Sequence, residues 1–237
     1  MAIADKLDTI TGIFGIGQIP TGDKDPFALR RAALGLVRIM IEKQLDLDLY
    51  QLIQSSLELH GSVQITDNLM DEIYDFIVGR LRAYYSDQGI SAEQFEAVRV
   101  CRPAYPVDFS KRIEAVKQFS QMPSAESLSA ANKRIANILK KNTDALSETV
   151  NPSLFEEKAE KVLWEALEGL NKTVSQQIAN RDYVAAIGAL ASIREAVDSF
   201  FDDVMVMAEA LPVRQNRLAL LNQIYQLFLK VADVSRL

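Results

Sequence analysis

The sequence predicts an all-α protein built from two helical parts, and three features support that reading. Breakers are scarce, with 10 glycines and 7 prolines in 237 residues, most of them confined to a few short segments. Between those segments apolar residues recur three and four apart, the period of a helix with a buried face. No run alternates apolar and polar residues as a half-buried strand does. A hydrophobic fraction of 49% with 24% charged residues suffices for a sizeable core and argues against disorder.

A short helix is expected over 2–12. The Gly/Pro-rich segment GIFGIGQIPTGDKDP follows, closed by Asp25 as a cap and Pro26 at the first helical position. The next helix, about Phe27 to Lys43, carries Phe27, Leu29, Ala33, Leu34, Val37 and Ile41 on more than one face, so it should be covered on several sides. Another spans about Leu47 to Leu59. Thr66 is placed to cap the helix after it, with Leu69, Ile73, Phe76, Ile77 and Tyr84 along one face. Ser91 and Gln94 stand three apart in a capping-box pattern that opens a short helix to about Val100.

The prolines of CRPAYPVD interrupt the chain. A helix then runs to Gln121, and Met122-Pro123-Ser124 ends it. SAANKRIANILKK reads as a helix with Ile135, Ile138 and Leu139 inward. Asn151-Pro152 repeats the cap-then-proline entry, for a helix carrying Leu154, Phe155, Val162, Leu163 and Leu167. Asp182 is expected to cap one long helix to about Ala210, and Pro212 to start the last, ending near Asp233. A boundary between Pro103 and Pro123 leaves the second half as a bundle of four or five helices. Met1 leads straight into a helical pattern with no cap, which reads as a piece cut from a longer chain.

Several chemistries are disfavoured by what is missing. Gly17 and Gly22 have the spacing of a phosphate loop, but Asp23 stands where the lysine must be, and no strand–helix context surrounds the glycines. His60 is the only histidine and precedes Gly61, which suits a helix C-cap better than a ligand or a base. Asp5 and Asp8 suit the exposed face of a helix. The single cysteine, Cys101, excludes an internal disulfide framework and fits a reducing, cytoplasmic setting. It reads better as a buried thiol than as one activated by Arg102. Asp198, Asp202, Asp203 and Glu209 lack the His or Cys partners of a specific metal site and read as a solvated face. No apolar run reaches the roughly 18 residues of a membrane span. The expectation is a chain with no catalytic residues of its own, no metal and no cofactor.

The net charge of −6 does not by itself attract nucleic acid, so any such binding must come from local patches. Two exist. Lys133, Arg134, Lys140 and Lys141 lie in a stretch without acidic residues, where Lys133, Asn137 and Lys140 recur at helical spacing, as do Arg134 and Lys141. Such a stripe can meet phosphates, and the amides of Asn132 and Asn137 can read base edges or ribose. Arg214, Asn216 and Arg217 form the second group, at the start of the last helix, where anions are favoured. On charge alone, such clusters in an acidic protein are more often solvated faces.

Long stretches carry a resemblance that goes beyond charge. GIFGIGQIPTGDKDPFALRRAALG, from Gly12 to Gly35, resembles the β subunit of bacterial two-subunit glycyl-tRNA synthetases. So do RPAYPVDFSKRIEAVKQF, SLSAANKRIANILKK and FFDDVMVMAEALPVRQNRLALLNQIYQLFLKVADVSRL, so that the similarity covers essentially the whole chain. The last two also resemble the all-helical, DALR-like anticodon-binding domain of arginyl-tRNA synthetases. The resemblance implies the C-terminal portion of a longer β chain. Residues 1–105 would be the helical tail of an HD-like body, and 106–237 an anticodon-binding-like domain. An HD-type metal site needs histidines and aspartates, and with His60 alone it is incomplete. The family's holoenzyme joins glycine to its tRNA using ATP and magnesium, on a catalytic core carried by the α subunit of an α2β2 assembly. The implied partners are glycine tRNA, that α subunit and the rest of the β chain, with neither membrane nor DNA. The implied RNA-facing positions are Lys133, Arg134, Asn137, Lys140, Lys141, Arg214, Asn216 and Arg217. Four alternatives stay open: Arg217 pairing with Asp202 or Asp203, Asn137 capping or bridging inside the bundle, a docking role for the first half through the apolar helix after Phe27, and a small phosphohydrolase suggested by the HD resemblance.

Overall fold

The computed structural model describes residues 2–22, 24–61, 65–142, 147 and 149–237; Asp23, weighed above against a phosphate loop, lies outside the described residues. Among the described residues every regular element is a helix, and β pairing is limited to an isolated bridge between Thr21 and Lys24. No helix there is long and apolar enough to cross a membrane. The chain divides into two compact units. One comprises Met1–Phe95 with Arg102–Ser110, the other Glu96–Cys101 with Lys111–Leu237.

In the first unit α1 (Ala2–Gly15) packs on α2 (Leu29–Glu42), α3 (Leu49–Leu59) and α4 (Asp67–Gly79). Its buried residues Leu7, Ile10 and Phe14 are spaced three and four apart, and the Phe14 ring lies 5.0 Å from that of Phe76. Asp25 does cap α2, but later than its sequence position implies. Its carboxylate accepts from the amides of Leu29 (2.8 Å) and Arg30 (3.0 Å), while Ala28 turns the chain through a left-handed φ of 54°. Phe27 therefore stays outside the helix and 46% exposed, whereas Leu29, Ala33, Leu36, Val37 and Met40 are fully buried.

Asp48 caps α3 by accepting from the Gln51 amide, and Thr66 caps α4 by accepting from that of Leu69. The single face expected to reach Tyr84 is interrupted at Arg80. After it α5 (Leu81–Ser86) puts Leu81 and Tyr85, rather than Tyr84, into the core. The Ser91–Gln94 capping box forms in both directions, at 3.2 and 3.0 Å, and opens α6 (Ala92–Arg99).

The second unit is a bundle around Phe119, Leu128, Ile135, Leu163, Ile187, Phe200, Ile224 and Phe228. It is built from the end of α7 (Pro106–Phe119), α8 (Ala125–Lys141), α9 (Lys158–Ala179), α10 (Tyr183–Ala191), α11 (Arg194–Asp203) and α12 (Leu211–Leu229). Asn151 accepts from Ser153 but opens only the 3-10 turn Pro152–Leu154. The helix proper starts at Lys158, where the Glu160 carboxylate reaches back to the Glu157 amide at 2.9 Å.

The long helix expected from Asp182 to Ala210 is divided. Asp182 caps α10 as anticipated, but Ser192 Oγ donates to the Ala189 carbonyl at 2.7 Å, and the amides of Ser192 and Ile193 close tight turns onto Ala189 and Leu190. That break lets Ile193, Val197 and Phe200 all reach the core. The segment after Asp203 is not helical, and its Val204 and Val206 are buried.

Candidate nucleic-acid interface

Helix α8 has two chemically distinct faces. Leu128, Ala131, Asn132 and Ile135 are buried, with Ile138 and Leu139 half-buried behind them. Lys133, Arg134, Asn137, Lys140 and Lys141 are all exposed. The 3.6-residue period alone produces this partition, because 133, 137, 140 and 141 fall on one side and 128, 131, 132 and 135 on the other. After Glu126 the helix has no acidic side chain, so the exposed face has a single sign of charge. Lys140 and Lys141 also lie in the last turn, where they complement the negative end of the helix.

Tertiary contacts define one of these cations further. The Arg134 guanidinium lies 4.1 Å from the centre of the Phe201 ring on α11. Ser127 of α8 donates to Asp198 of α11 at 2.7 Å, and Asp198 also pairs with Arg194 at 3.3 Å. Asp198 is thus engaged between helices, while Asp202 and Asp203 are exposed. Among the described residues no group of three or more His, Cys, Asp or Glu side chains is placed to hold a metal ion. Phe201 was not singled out from the sequence. The signal was the Phe200-Phe201 pair at the end of an amphipathic helix, of which only Phe200 is fully buried.

The second predicted cluster does not present a common surface. Asn216 and Arg217 are 3% and 4% exposed and are structural, a correction to their reading as RNA-facing. The Asn216 side chain accepts from the Asn151 amide (2.7 Å) and donates to its carbonyl (3.1 Å), clamping the turn before α9. Arg217 pairs with neither Asp202 nor Asp203. Its Nε and Nη2 donate to the two oxygens of Glu160 at 3.0 and 3.1 Å, and Nη2 also donates to Glu156 at 3.0 Å. Nη1 donates to the Met205 carbonyl at 2.9 Å, tying the irregular segment after α11 to the bundle.

Burial pushes the Glu160 carboxyl up, but the Arg217 guanidinium and the amides of Glu157 and Glu156 outweigh it and hold the group below its usual range. Arg214 is half-buried and donates to the Ala208 carbonyl at 3.3 Å. Asn132, on the inner side of α8, is 1% exposed and donates to the Leu128 carbonyl, so its amide is not available to a base.

The two isolated reactive side chains are also occupied structurally. His60 ends α3, and its Nε2 lies 3.1 Å from Thr11 Oγ1, against Gly12 of α1. Burial pushes the Cys101 thiol up to about 11, so the neighbouring Arg102 does not activate it. Arg102 instead pairs with Asp71 (2.7 Å) and Asp75 (3.2 Å).

Comparison with known proteins follows the same division. Residues 1–100 match the family described as glycyl-tRNA synthetase beta subunit, and residues 128–234 match the DALR anticodon binding domain. The stripe on α8 falls inside the second match. The chain is 53% identical over all 237 residues to the glycine–tRNA ligase beta subunit of Actinobacillus pleuropneumoniae serotype 7, covering 34% of that protein. It is 50% identical over 235 residues to that of Pectobacterium carotovorum, covering 34% of it, and 49% identical over 237 residues to that of Pseudomonas aeruginosa, covering 35%. These matches take in 99–100% of this chain, which spans about a third of the length of the relatives it matches.

Proposed function

We propose that this chain is part of a glycyl-tRNA synthetase beta subunit, as its matches support, and that it is the noncatalytic part of the subunit that holds the anticodon end of glycine tRNA. In this reading ATP and magnesium act elsewhere in the holoenzyme, on the α subunit, and the chain works in the cytoplasm beside that subunit and the remainder of the β chain. The observation that carries the reading is the exposed face of α8, with Lys133, Arg134, Asn137, Lys140 and Lys141 clear of acidic neighbours on their own helix. The lysines suit phosphates as mobile point charges. Asn137 offers a donor and an acceptor for a base edge or a ribose. Arg134, held over Phe201, presents a planar cation of fixed orientation.

The test is charge reversal, Lys133→Glu with Lys140→Glu, followed by tRNA binding across a salt series. Losing two phosphate contacts should weaken binding by about tenfold or more at moderate salt and lower the slope of log K against log salt by about 2. Unchanged affinity and slope would remove α8 from the interface. Equal affinity for glycine tRNA and an unrelated tRNA, even at low salt, would remove anticodon reading.

A second reading, in which the first unit docks the remainder of the synthetase, is favoured by one feature. Leu59 is 84% exposed beside a groove lined by Ile3, Leu7, Leu47 and Leu52.

A further inference from the structure

The first unit gathers positive charge that the anticodon-end reading does not use. Arg30 and Arg31 in the first turn of α2, Arg80 between α4 and α5, and Arg82 at the start of α5 line one open cavity of about 670 Å³. The rest of its wall is apolar or small, including Leu34, Ile90 and Ser91, and among the described residues it contains no carboxylate. Local structure does not account for this placement. Cations in the first turn of α2 face the positive end of their own helix, where the Asp25 carboxylate is taken up as a cap by the amides of Leu29 and Arg30. Ser91, which caps α6, and Ala92, its first residue, border the same cavity, with Glu93 in the first turn of that helix.

The internal partners of these guanidiniums are weak or neutral. Arg30 donates to the Gly22 carbonyl. Arg80 lies over the Phe76 ring at 5.3 Å, with its buried Nε lacking a hydrogen-bond partner among the described residues. Arg31 and Arg82 are exposed and make no hydrogen bond or ion pair among the described residues. Glu93 feels the charge of Arg82, but its carboxylate is occupied by its own amide and by the Ser91 hydroxyl at 2.8 Å. Elsewhere in this unit arginines take carboxylates: Arg38 binds Glu42, and Arg102 binds Asp71 and Asp75. In a chain of net charge −6, such a cluster, with no carboxylate among the described residues of its wall, is open to an anion from outside the protein.

We propose that this cavity is a phosphate-binding site, distinct from the face of α8, in which the guanidinium forks of Arg31 and Arg82 close on a phosphate above Arg30 and Arg80. Forked guanidinium donors match phosphate oxygens in pairs, and the apolar floor of Leu34 and Ile90 lowers the competition from water. The phosphate is carried either by an RNA backbone or by a small phosphorylated molecule. The site does not depend on the anticodon-end reading, since one arm of its test needs no tRNA.

The variant Arg31→Gln with Arg82→Gln alters exposed side chains only, and an unchanged unfolding midpoint confirms the fold. Titrations use glycine tRNA, ATP and inorganic phosphate. A backbone site predicts tRNA binding weakened about tenfold with a salt slope lower by about 2, and no saturable phosphate or ATP binding. A small-molecule site predicts saturable ATP or phosphate binding to the parent chain that the variant loses, with tRNA affinity unaltered. Arginine-selective glyoxal labelling of the unmodified chain, read by mass spectrometry, provides a check independent of the variant. Protection of Arg31 and Arg82 by tRNA, ATP or phosphate supports the site. No protection by any of them, or identical binding by parent and variant in every arm, overturns it.

Discussion

Replacing Arg217 by alanine separates an RNA contact from a structural one. Arg217 is 4% exposed and its partner Glu160 fully buried, and the pair shares two charge-assisted hydrogen bonds at 3.0 and 3.1 Å. Alanine leaves the Glu160 carboxylate buried with only the amides of Glu156 and Glu157. Breaking such a pair from one side costs about 3–5 kcal/mol. The second arm, to Glu156, adds at most about 1 kcal/mol, because that carboxylate is 58% exposed. Losing the Met205 carbonyl contact also frees the segment after α11.

The pH dependence has a definite sign. With its folded pKa depressed, Glu160 contributes stability above its unfolded pKa and loses it as pH falls through the folded value. The deficit relative to the parent should be largest near pH 7 and narrow only below the ordinary glutamate value of 4.5, as the parent's own Glu160 takes up its proton. The chain's only tryptophan, Trp164, lies in α9, so urea unfolding followed by its fluorescence reports on this unit. A loss below about 1 kcal/mol would refute the structural assignment. So would a variant of parental stability that had lost tRNA binding.

Two further outcomes follow from close contacts. Gly12 sits in α1 where an added Cβ would come 3.0 Å from His60 Cε1. Gly12→Ala should therefore gain the helical preference of alanine, about 0.5–1 kcal/mol, only in a His60→Ala background, and lose or gain nothing with His60 present. Equal effects of Gly12→Ala on the unfolding midpoint in both backgrounds would contradict that packing. Burial raises the Cys101 thiol to about 11 from an ordinary 9.0, leaving roughly a hundredfold less thiolate near neutrality than in the unfolded chain. Alkylation at pH 8 should be slower in the native protein by about that factor, and similar native and denatured rates would show the thiol to be exposed.

Features encoded within a few residues were legible directly. Thr66, Asp182 and the Ser91–Gln94 pair cap as read because an oxygen two or three residues before a free amide needs no distant partner. The inward face of α8 was legible for the same reason, since helical period and polarity agree there. The break at Ser192 was not. It depends on Ile193 and Phe200 both finding core positions, a competition between helix continuation and distant packing that local preference does not record.

The same distinction divides the candidate site. By itself the sequence determined the helical class, the resemblance to a synthetase subunit, and the stripe from Lys133 to Lys141. Only the tertiary structure decided which basic residues face water. Arg217 is indistinguishable from a surface cation in the string RQNRLALL, until α9 brings Glu160 against it and desolvates both charges. The arginine cavity depends on it equally, because Arg30 and Arg31 lie far in sequence from Arg80 and Arg82 and meet only where α2 packs on α4. Periodicity encodes which side of a helix is apolar. Burial of a charge is a property of the partner that comes to cover it, and that partner lies elsewhere in the chain.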